Sequence, residues 1–119
     1  MDTSSTGAVL SSLYAQYLKE RESKEILEDE TGFATYTFVQ DGVYIENIYT
    51  HPDYRQSGVA SKFADKIAEI AKAKGYKKMY GSVVPTANNS TASLKVLLAY
   101  GFRLDSAQPN AIFMIKDIP

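Results

Sequence analysis

Residues 43–84 read VYIENIYTHPDYRQSGVASKFADKIAEIAKAKGYKKMYGSVV. The first eight, Val43–Thr50, are apolar, β-branched and aromatic, the composition of a strand, and Pro52 stops them. A loop, HPDYRQS, follows. Val59, Phe63, Ile67, Ile70 and Ala71 then recur at helical spacing, and Gly75 is a natural C-terminal stop. Lys77–Val84 returns to a strand pattern. A strand, a long helix and a second strand in succession form a crossover unit, so the strands at 43–50 and 77–84 are expected to lie parallel.

Working outward, Asp41-Gly42 signals a tight hairpin, because both residues tolerate positive φ. Before it, Gly32–Gln40 (GFATYTFVQ) is a strand, and Lys24–Glu30 is a further one, giving an antiparallel meander over 24–50. Val9, Leu10, Leu13, Tyr14, Tyr17 and Leu18 predict an amphipathic helix over 7–22, capped by Ser4, Ser5 or Thr6, whose aromatic stripe is read as core packing, with a ligand box as the alternative. On the other side, PTANNS is a loop with capping residues at its end. Ser90–Tyr100 is a short helix with Leu94, Leu97 and Leu98 inward, ended by Gly101-Phe102. Strands at about 102–105 and 111–117 flank a loop containing Pro109-Asn110. The fold class is therefore α/β (α+β): one N-terminal helix, an antiparallel meander, then β-α-β-α-β-β, in a mixed sheet. The 119 residues are expected to form a single domain.

Composition narrows the chemistry. With no cysteine there is no disulfide framework, thiol nucleophile or thiolate metal site, and one histidine, His51, rules out a multi-histidine centre. A formal net charge of -1 does not favour a nucleic-acid partner. Residues 20–30 are acid-rich, whereas Lys62, Lys66, Lys72, Lys74, Lys77 and Lys78 cluster later; these are either two solvated faces or, for the lysines, a rim that attracts an anion. No apolar run approaches the ~20 residues that cross a bilayer, and MDTSSTGAVL lacks the basic start of a secretory signal. The expectation is a cytoplasmic protein without membrane or nucleic-acid partners.

The chemistry concentrates in Tyr49–Ala60, YTHPDYRQSGVA. A strand runs out and the chain delivers Arg55-Gln56-Ser57-Gly58-Val59-Ala60 to the start of a long helix. Unpaired N–H groups and the positive end of the helix dipole make such a place an anion site suited to a diphosphate. Gly58 allows close approach of an anion to the backbone, Ala60 keeps the next turn narrow, and Arg55 and Gln56 add side-chain donors. Simple helix capping is the alternative. Neither a G-x-G-x-x-G nor a Walker pattern is present.

Taken whole, IYTHPDYRQSGVA resembles the acetyl-CoA signature of the GNAT superfamily of N-acetyltransferases, a strand end and Pro-x-Tyr-Arg leading into [R/Q]-x-x-G-x-[G/A], here Arg55-x-x-Gly58-x-Ala60. STASLKVLLAYGF (Ser90–Phe102) resembles that family's second motif, and Gly32-Phe33-Ala34 its preceding strand. The resemblance covers 24–117. It implies acetyl-CoA as co-substrate and an amine as acceptor. The backbone of Ile48, Tyr49 and Thr50 would bind the pantetheine arm like an added strand. The turn Gln56, Ser57, Gly58, Val59, Ala60 and Ser61 would hold the diphosphate, with Arg55 beside it. The parallel strands would splay apart at their C-terminal ends and receive the thioester.

A neutral amine must attack the thioester, so a base is needed. Glu46 is the candidate: a carboxylate in an apolar strand is unusual, and Tyr44-Ile45-Glu46-Asn47 resembles the Y-[L/I]-E-[D/N] of the branch that acetylates small amines and polyamines. The alternative is a strand position paired with a lysine. Tyr100 is the candidate acid, against core packing beside Phe102, because the position where many relatives carry a tyrosine is Leu97 here. Ser90 stands where a cofactor-binding asparagine is common, with Asn88 or Asn89 as substitutes. His51 is a possible second base or a surface residue. Tyr36, Tyr44 and Tyr49 are strand-packing residues or the lining of an amine pocket.

About 23 residues precede the meander, fewer than in most of that family, so the resemblance is to a short, N-terminally reduced version with an open acceptor cleft or one completed by a homodimer. Two further readings stay open: a non-catalytic acetyl-CoA-binding or protein-interaction module of the same fold, and a ferredoxin-like binding domain.

Overall fold

A computed structural model of the chain describes residues 12–88 and 90–119. Helix α1 spans Leu13–Glu22, with the Ser12 hydroxyl capping it by accepting the Ala15 N–H at 3.0 Å. The expected helical residues Val9 and Leu10, and the caps Ser4, Ser5 and Thr6, lie outside the described residues. The aromatic stripe does not enter the core: Leu18 is buried, but Leu13, Tyr14 and Tyr17 are exposed. The reason is placement. The helix rests on the edge strand β1 (Glu25–Asp29), and Leu18 is its one buried residue. The two tyrosine rings stack on each other instead, and Arg21 lies over Tyr17.

Strands β1, β2 (Gly32–Phe38) and β3 (Gly42–Thr50) form the antiparallel meander. The β2–β3 turn is where Asp41-Gly42 placed it, but for another reason. Val39 N–H donates to the Gly42 carbonyl at 2.8 Å, so Gln40 and Asp41 form the loop, and neither Asp41 nor Gly42 has positive φ. Gly42 already belongs to β3 and presses on β4 (Lys78–Val83): a Cβ there would stand 2.3 Å from the Lys78 carbonyl oxygen. Close strand approach, not turn geometry, requires the glycine.

Helix α2 (Val59–Ala73) crosses over to β4, which pairs parallel with β3 as expected. Helix α3 (Ser90–Tyr100) follows, then β5 (Arg103–Gln108), longer than expected, and β6 (Ala111–Asp117). The sheet order is β1-β2-β3-β4-β6-β5, since β6 inserts antiparallel beside β4 and leaves β5 at the edge. The mixed α/β architecture is the one expected.

The core forms where α2 lays Val59, Phe63, Ala64, Ile67 and Ala71 on one sheet face, against Ala34, Tyr36, Val43, Met79 and Met114. Ile67, Met79, Met114 and Val43 are fully buried, each stabilising by roughly 1.5–3 kcal/mol relative to exposure. Leu94 and Leu97 of α3 pack on this cluster. Leu98, also expected inward, is exposed; it lies ~100° round the helix from Leu97, on the solvent side.

Two irregularities shape the middle of the sheet. Along β2–β3 the register runs Thr35↔Asn47 and then Tyr36↔Ile45, so Glu46 is an extra residue, a β-bulge. The bulge reverses the alternation, and Ile45 and Ile48, three apart, both pack against the core. Second, β3 and β4 pair only at Gly42↔Lys78, Val43↔Met79 and Tyr44↔Tyr80. Beyond Tyr44 the strands part, and β3 runs on to Thr50 with β2 on one edge and, among the described residues, no strand on the other.

Candidate active site

The opening between β3 and β4 is a cleft of about 710 Å³. Its walls are Ile45–Thr50 of β3, Gly81 and Ser82 of β4, the start of α2, and one side of α3. Ile48, Tyr49 and Thr50 thus present their free backbone edge to the cleft. Tyr49 stacks on Phe33 with ring centroids 5.6 Å apart.

The turn into α2 is built by local bonds. His51 Nδ1 accepts the Asp53 N–H at 3.0 Å and caps a short 3₁₀ turn, Pro52–Tyr54; this occupies one ring nitrogen of the only histidine, outside the cleft lining. Ser57 Oγ donates to the Tyr54 carbonyl, and Ser57 does not line the cleft. Arg55 folds back, its Nε donating to the Thr50 carbonyl at 3.0 Å and its guanidinium 5.5 Å from the centre of the Tyr49 ring. Expected as a ligand donor, Arg55 also fastens the turn to the end of β3.

Gln56 (φ 65) and Gly58 (φ 80) are both left-handed. They aim the chain so that Gln56, Gly58, Val59, Ala60 and Ser61 line the cleft. Gly58 is the N-cap of α2; no side chain caps it, and no acidic residue occupies the first turn. Neither the cap nor the first turn therefore supplies an anion to the amides and the dipole of this 15-residue helix. A Cβ on Gly58 would meet nothing within 4 Å. The N-cap position is thus open, and an uncapped helix N-terminus suits a diphosphate.

Glu46 lines the cleft, and its Oε1 is 3.2 Å from Lys24 Nζ. The two readings of this carboxylate, cleft base and partner of a lysine, thus describe one place. Lys24 also lies 3.0 Å from Glu22 Oε1, and Glu22 first, then Glu46, holds the Lys24 ammonium above its ordinary range.

Tyr100 lines the cleft with its ring against Phe102, but its hydroxyl donates to Asp65 Oδ1 of α2 at 2.6 Å. Leu97 covers Gly81, where a Cβ would come within 3.3 Å of Leu97 Cδ2. Asn89 and the Ser90 side chain lie outside the described residues. Of the three tyrosines considered for an amine pocket, Tyr36 is buried in the core. Tyr44 shares a 2.5 Å hydrogen bond with Ser82, and Tyr49 alone of the three lines the cleft. Sequence reasoning missed Ser93 and Val96, which join Leu97 and Tyr100 in the cleft wall. Their spacing of three, one and three residues is one face of a helix and was the available signal. The Lys24–Glu46 contact had none, because it depends on strand register.

The acetyltransferase (GNAT) family model matches residues 12–102. The chain belongs to this family.

Among curated GNAT relatives, thialysine N-epsilon-acetyltransferase of Sus scrofa is 39% identical over 49 residues, 37% of this chain and 29% of that protein. The same enzyme of Bos taurus is 42% identical over 43 residues, 36% of this chain and 25% of that one. The chain thus matches less than a third of either relative's length. Solved structures share the GNAT fold at low identity. The Thermoplasma acidophilum PaiA N-acetyltransferase, in complex with coenzyme A, superposes with a TM-score of 0.70 at 14% identity, over 92% of this chain and 80% of that one. A GNAT acetyltransferase of Elizabethkingia anophelis with acetyl-CoA bound gives 0.67 at 20%, over 92% and 85%. One from Desulfovibrio desulfuricans gives 0.73 at 12%, over 81% and 70%. Among the described residues, no helix is long and apolar enough to cross a membrane.

Proposed function

We propose that this chain transfers an acetyl group from acetyl-CoA to a primary amine. The observation that carries the reading is the parting of β3 and β4 into a cleft that ends on the uncapped, acid-free N-terminus of α2. A cleft with a free strand edge at one end and a helix N-terminus at the other suits a long ligand with an amide-bearing arm and a diphosphate. Two fold neighbours hold coenzyme A or acetyl-CoA.

In this reading the pantetheine amides pair with the free edge of β3 at Ile48–Thr50, and the diphosphate lies on the amides from Gln56 to Ser61. The thioester then falls between the splayed strands, beside the bulge at Glu46. An alkyl ammonium has a pKa of about 10 and must lose a proton before it attacks. Glu46 accepts that proton, directly or through a water. The amine nitrogen bonds to the thioester carbonyl carbon, and a backbone N–H on the free edge of β3 stabilises the oxyanion. The nitrogen of the tetrahedral intermediate gives up its second proton to water, and as the intermediate collapses the carbonyl re-forms and the C–S bond breaks. The thiolate, whose conjugate acid has a pKa of about 8–9, takes a proton from water. Tyr100 need not supply it, since its hydroxyl is engaged with Asp65.

Calorimetric titration with acetyl-CoA, followed by a thiol-release assay over a panel of primary amines, tests the proposal. Binding with release for at least one amine is expected, and Glu46→Gln should lower kcat while leaving acetyl-CoA affinity intact. No heat would reject the cofactor site; heat without release across the panel would reject transfer.

A further inference from the structure

Three charges line up, the last of them in the cleft wall. Glu22 closes α1, Lys24 stands just before β1, and Glu46 is the bulged residue of β3. Lys24 Nζ is 3.0 Å from Glu22 Oε1 and 3.2 Å from Glu46 Oε1. The contact with Glu46 reaches across β2, the strand lying between β1 and β3.

Glu46 Oε1 is shut off from solvent and makes no hydrogen bond of acceptable geometry, yet the side chain as a whole keeps 23% of its exposure. A carboxylate oxygen withdrawn from water in this way is tolerated when a countercharge stands against it. Lys24 is that countercharge. The chain around Lys24 is itself fixed: Ser23 is left-handed, with φ 56, and its carbonyl accepts the Thr37 hydroxyl of β2 at 3.1 Å. The lysine stem thus starts from an anchored point.

We propose that Lys24 is a positioning residue: it grips one oxygen of Glu46 and keeps the carboxylate turned so that its exposed part meets the acceptor amine in the cleft. This rests on the acetyl-transfer reading and adds a residue to it. Glu22 is the third member. By pairing with the same ammonium it holds Lys24 charged and in place, in agreement with the raised proton affinity of Lys24. Lys24 touches neither the acceptor nor the thioester in this scheme; it acts through Glu46.

The test uses the full chain and its Lys24→Met and Lys24→Arg variants. In Lys24→Met, kcat for a reactive primary amine should fall about tenfold or more, a part of what a well-placed general base contributes. KM for acetyl-CoA should stay within about twofold, since the diphosphate turn is untouched. Lys24→Arg should recover most of the loss, and Glu46→Gln combined with Lys24→Met should lose no more than Glu46→Gln alone. Wild-type kcat in Lys24→Met, or losses that multiply in the double variant, would overturn the proposal. A second readout needs no turnover. The ¹³C signal of the Glu46 carboxyl should move in Lys24→Met and stay near its place in Lys24→Arg; an unmoved signal in Lys24→Met overturns the pairing. A wild-type protein that binds acetyl-CoA and releases no thiol defeats the transfer reading and leaves the pairing to the carboxyl signal.

Discussion

The Tyr100 hydroxyl on α3 donates to the Asp65 carboxylate on α2 at 2.6 Å, tying together the two helices that flank the cleft. Burial first, and then this hydrogen bond, push the phenol well above the ordinary tyrosine range. A phenol so placed keeps its proton at neutral pH, and that proton is already directed at Asp65. Tyr100→Phe is therefore expected to act on stability more than on chemistry. It should cost about 1 kcal/mol, the usual net value of such a bond at a partly exposed site, and leave kcat within about threefold. Urea unfolding and the thiol-release assay read the two effects separately. Unchanged stability with a tenfold lower kcat would return the leaving thiolate's proton to Tyr100.

Gly58 separates two kinds of glycine requirement. Among the described residues an added Cβ meets nothing within 4 Å, so the cost to the free protein is that of φ 80, about 1 kcal/mol for a left-handed alanine. In the proposed complex, however, that methyl would be carried by the N-cap residue of α2 in the cleft wall, where the diphosphate is expected to lie. Gly58→Ala should therefore fold, with a modestly lowered melting temperature, and bind acetyl-CoA about tenfold or more weakly, a difference of ~1.4 kcal/mol or more. Calorimetry on wild type and variant decides it. Equal affinities would move the diphosphate away from this turn.

How much of the molecule was legible in its sequence depends on the range of the interactions. The crossover at 43–84 was readable because helix α2 carries a broad apolar stripe between two strand-like runs, and periodicity is a local property. The turn at Gln56–Gly58 was readable as a motif for the same reason. Where contacts are distant, the sequence was mute or misleading. Leu13, Tyr14 and Tyr17 have core-like spacing, but α1 sits over an edge strand with little to bury them. The bulge at Glu46 arises only when β2 and β3 are paired, and the pairing with Lys24 needs a third strand in register. Leu97 stood out as a departure, yet its fit over Gly81 depends on how α3 packs across β4.

Gly42 carries the clearest stability prediction. The sequence suggested a turn glycine, but its role is to let β3 and β4 touch: a Cβ would lie 2.3 Å from the Lys78 carbonyl oxygen and 2.9 Å from the Lys78 carbonyl carbon. Backbone atoms cannot swing aside as a side chain can, so the two strands must separate at one of their three paired positions. Gly42→Ala is expected to lose about 2–3 kcal/mol, the upper range for overpacking, seen as a lower urea midpoint. A loss below about 0.5 kcal/mol, the range of neutral surface changes, would mean that the β3–β4 contact yields freely.

Alkaline pH should loosen the fold through a second tyrosine. The Tyr80 hydroxyl donates to both Asp41 carboxylate oxygens, at 2.8 and 2.9 Å, across the base of the cleft strands. That hydrogen bond is the largest influence on Tyr80, whose pKa is pushed up to about 12. In the unfolded chain a tyrosine titrates near 10. Between those values the native state holds a proton that the unfolded state has released, so stability falls as pH rises. The contribution is complete below about pH 10 and is lost as pH rises through about 12. Tyr100 is shifted in the same direction and adds to the decline at high pH. Burial raises Tyr36 as well. Tyr80→Phe removes one of these three titrations, so between pH 10 and 12 its melting temperature should fall less steeply than that of the wild type, whatever its level at neutral pH. Melting curves recorded at intervals across that window provide the measurement. Parallel slopes in the two proteins would show that the Tyr80–Asp41 bond does not persist in solution.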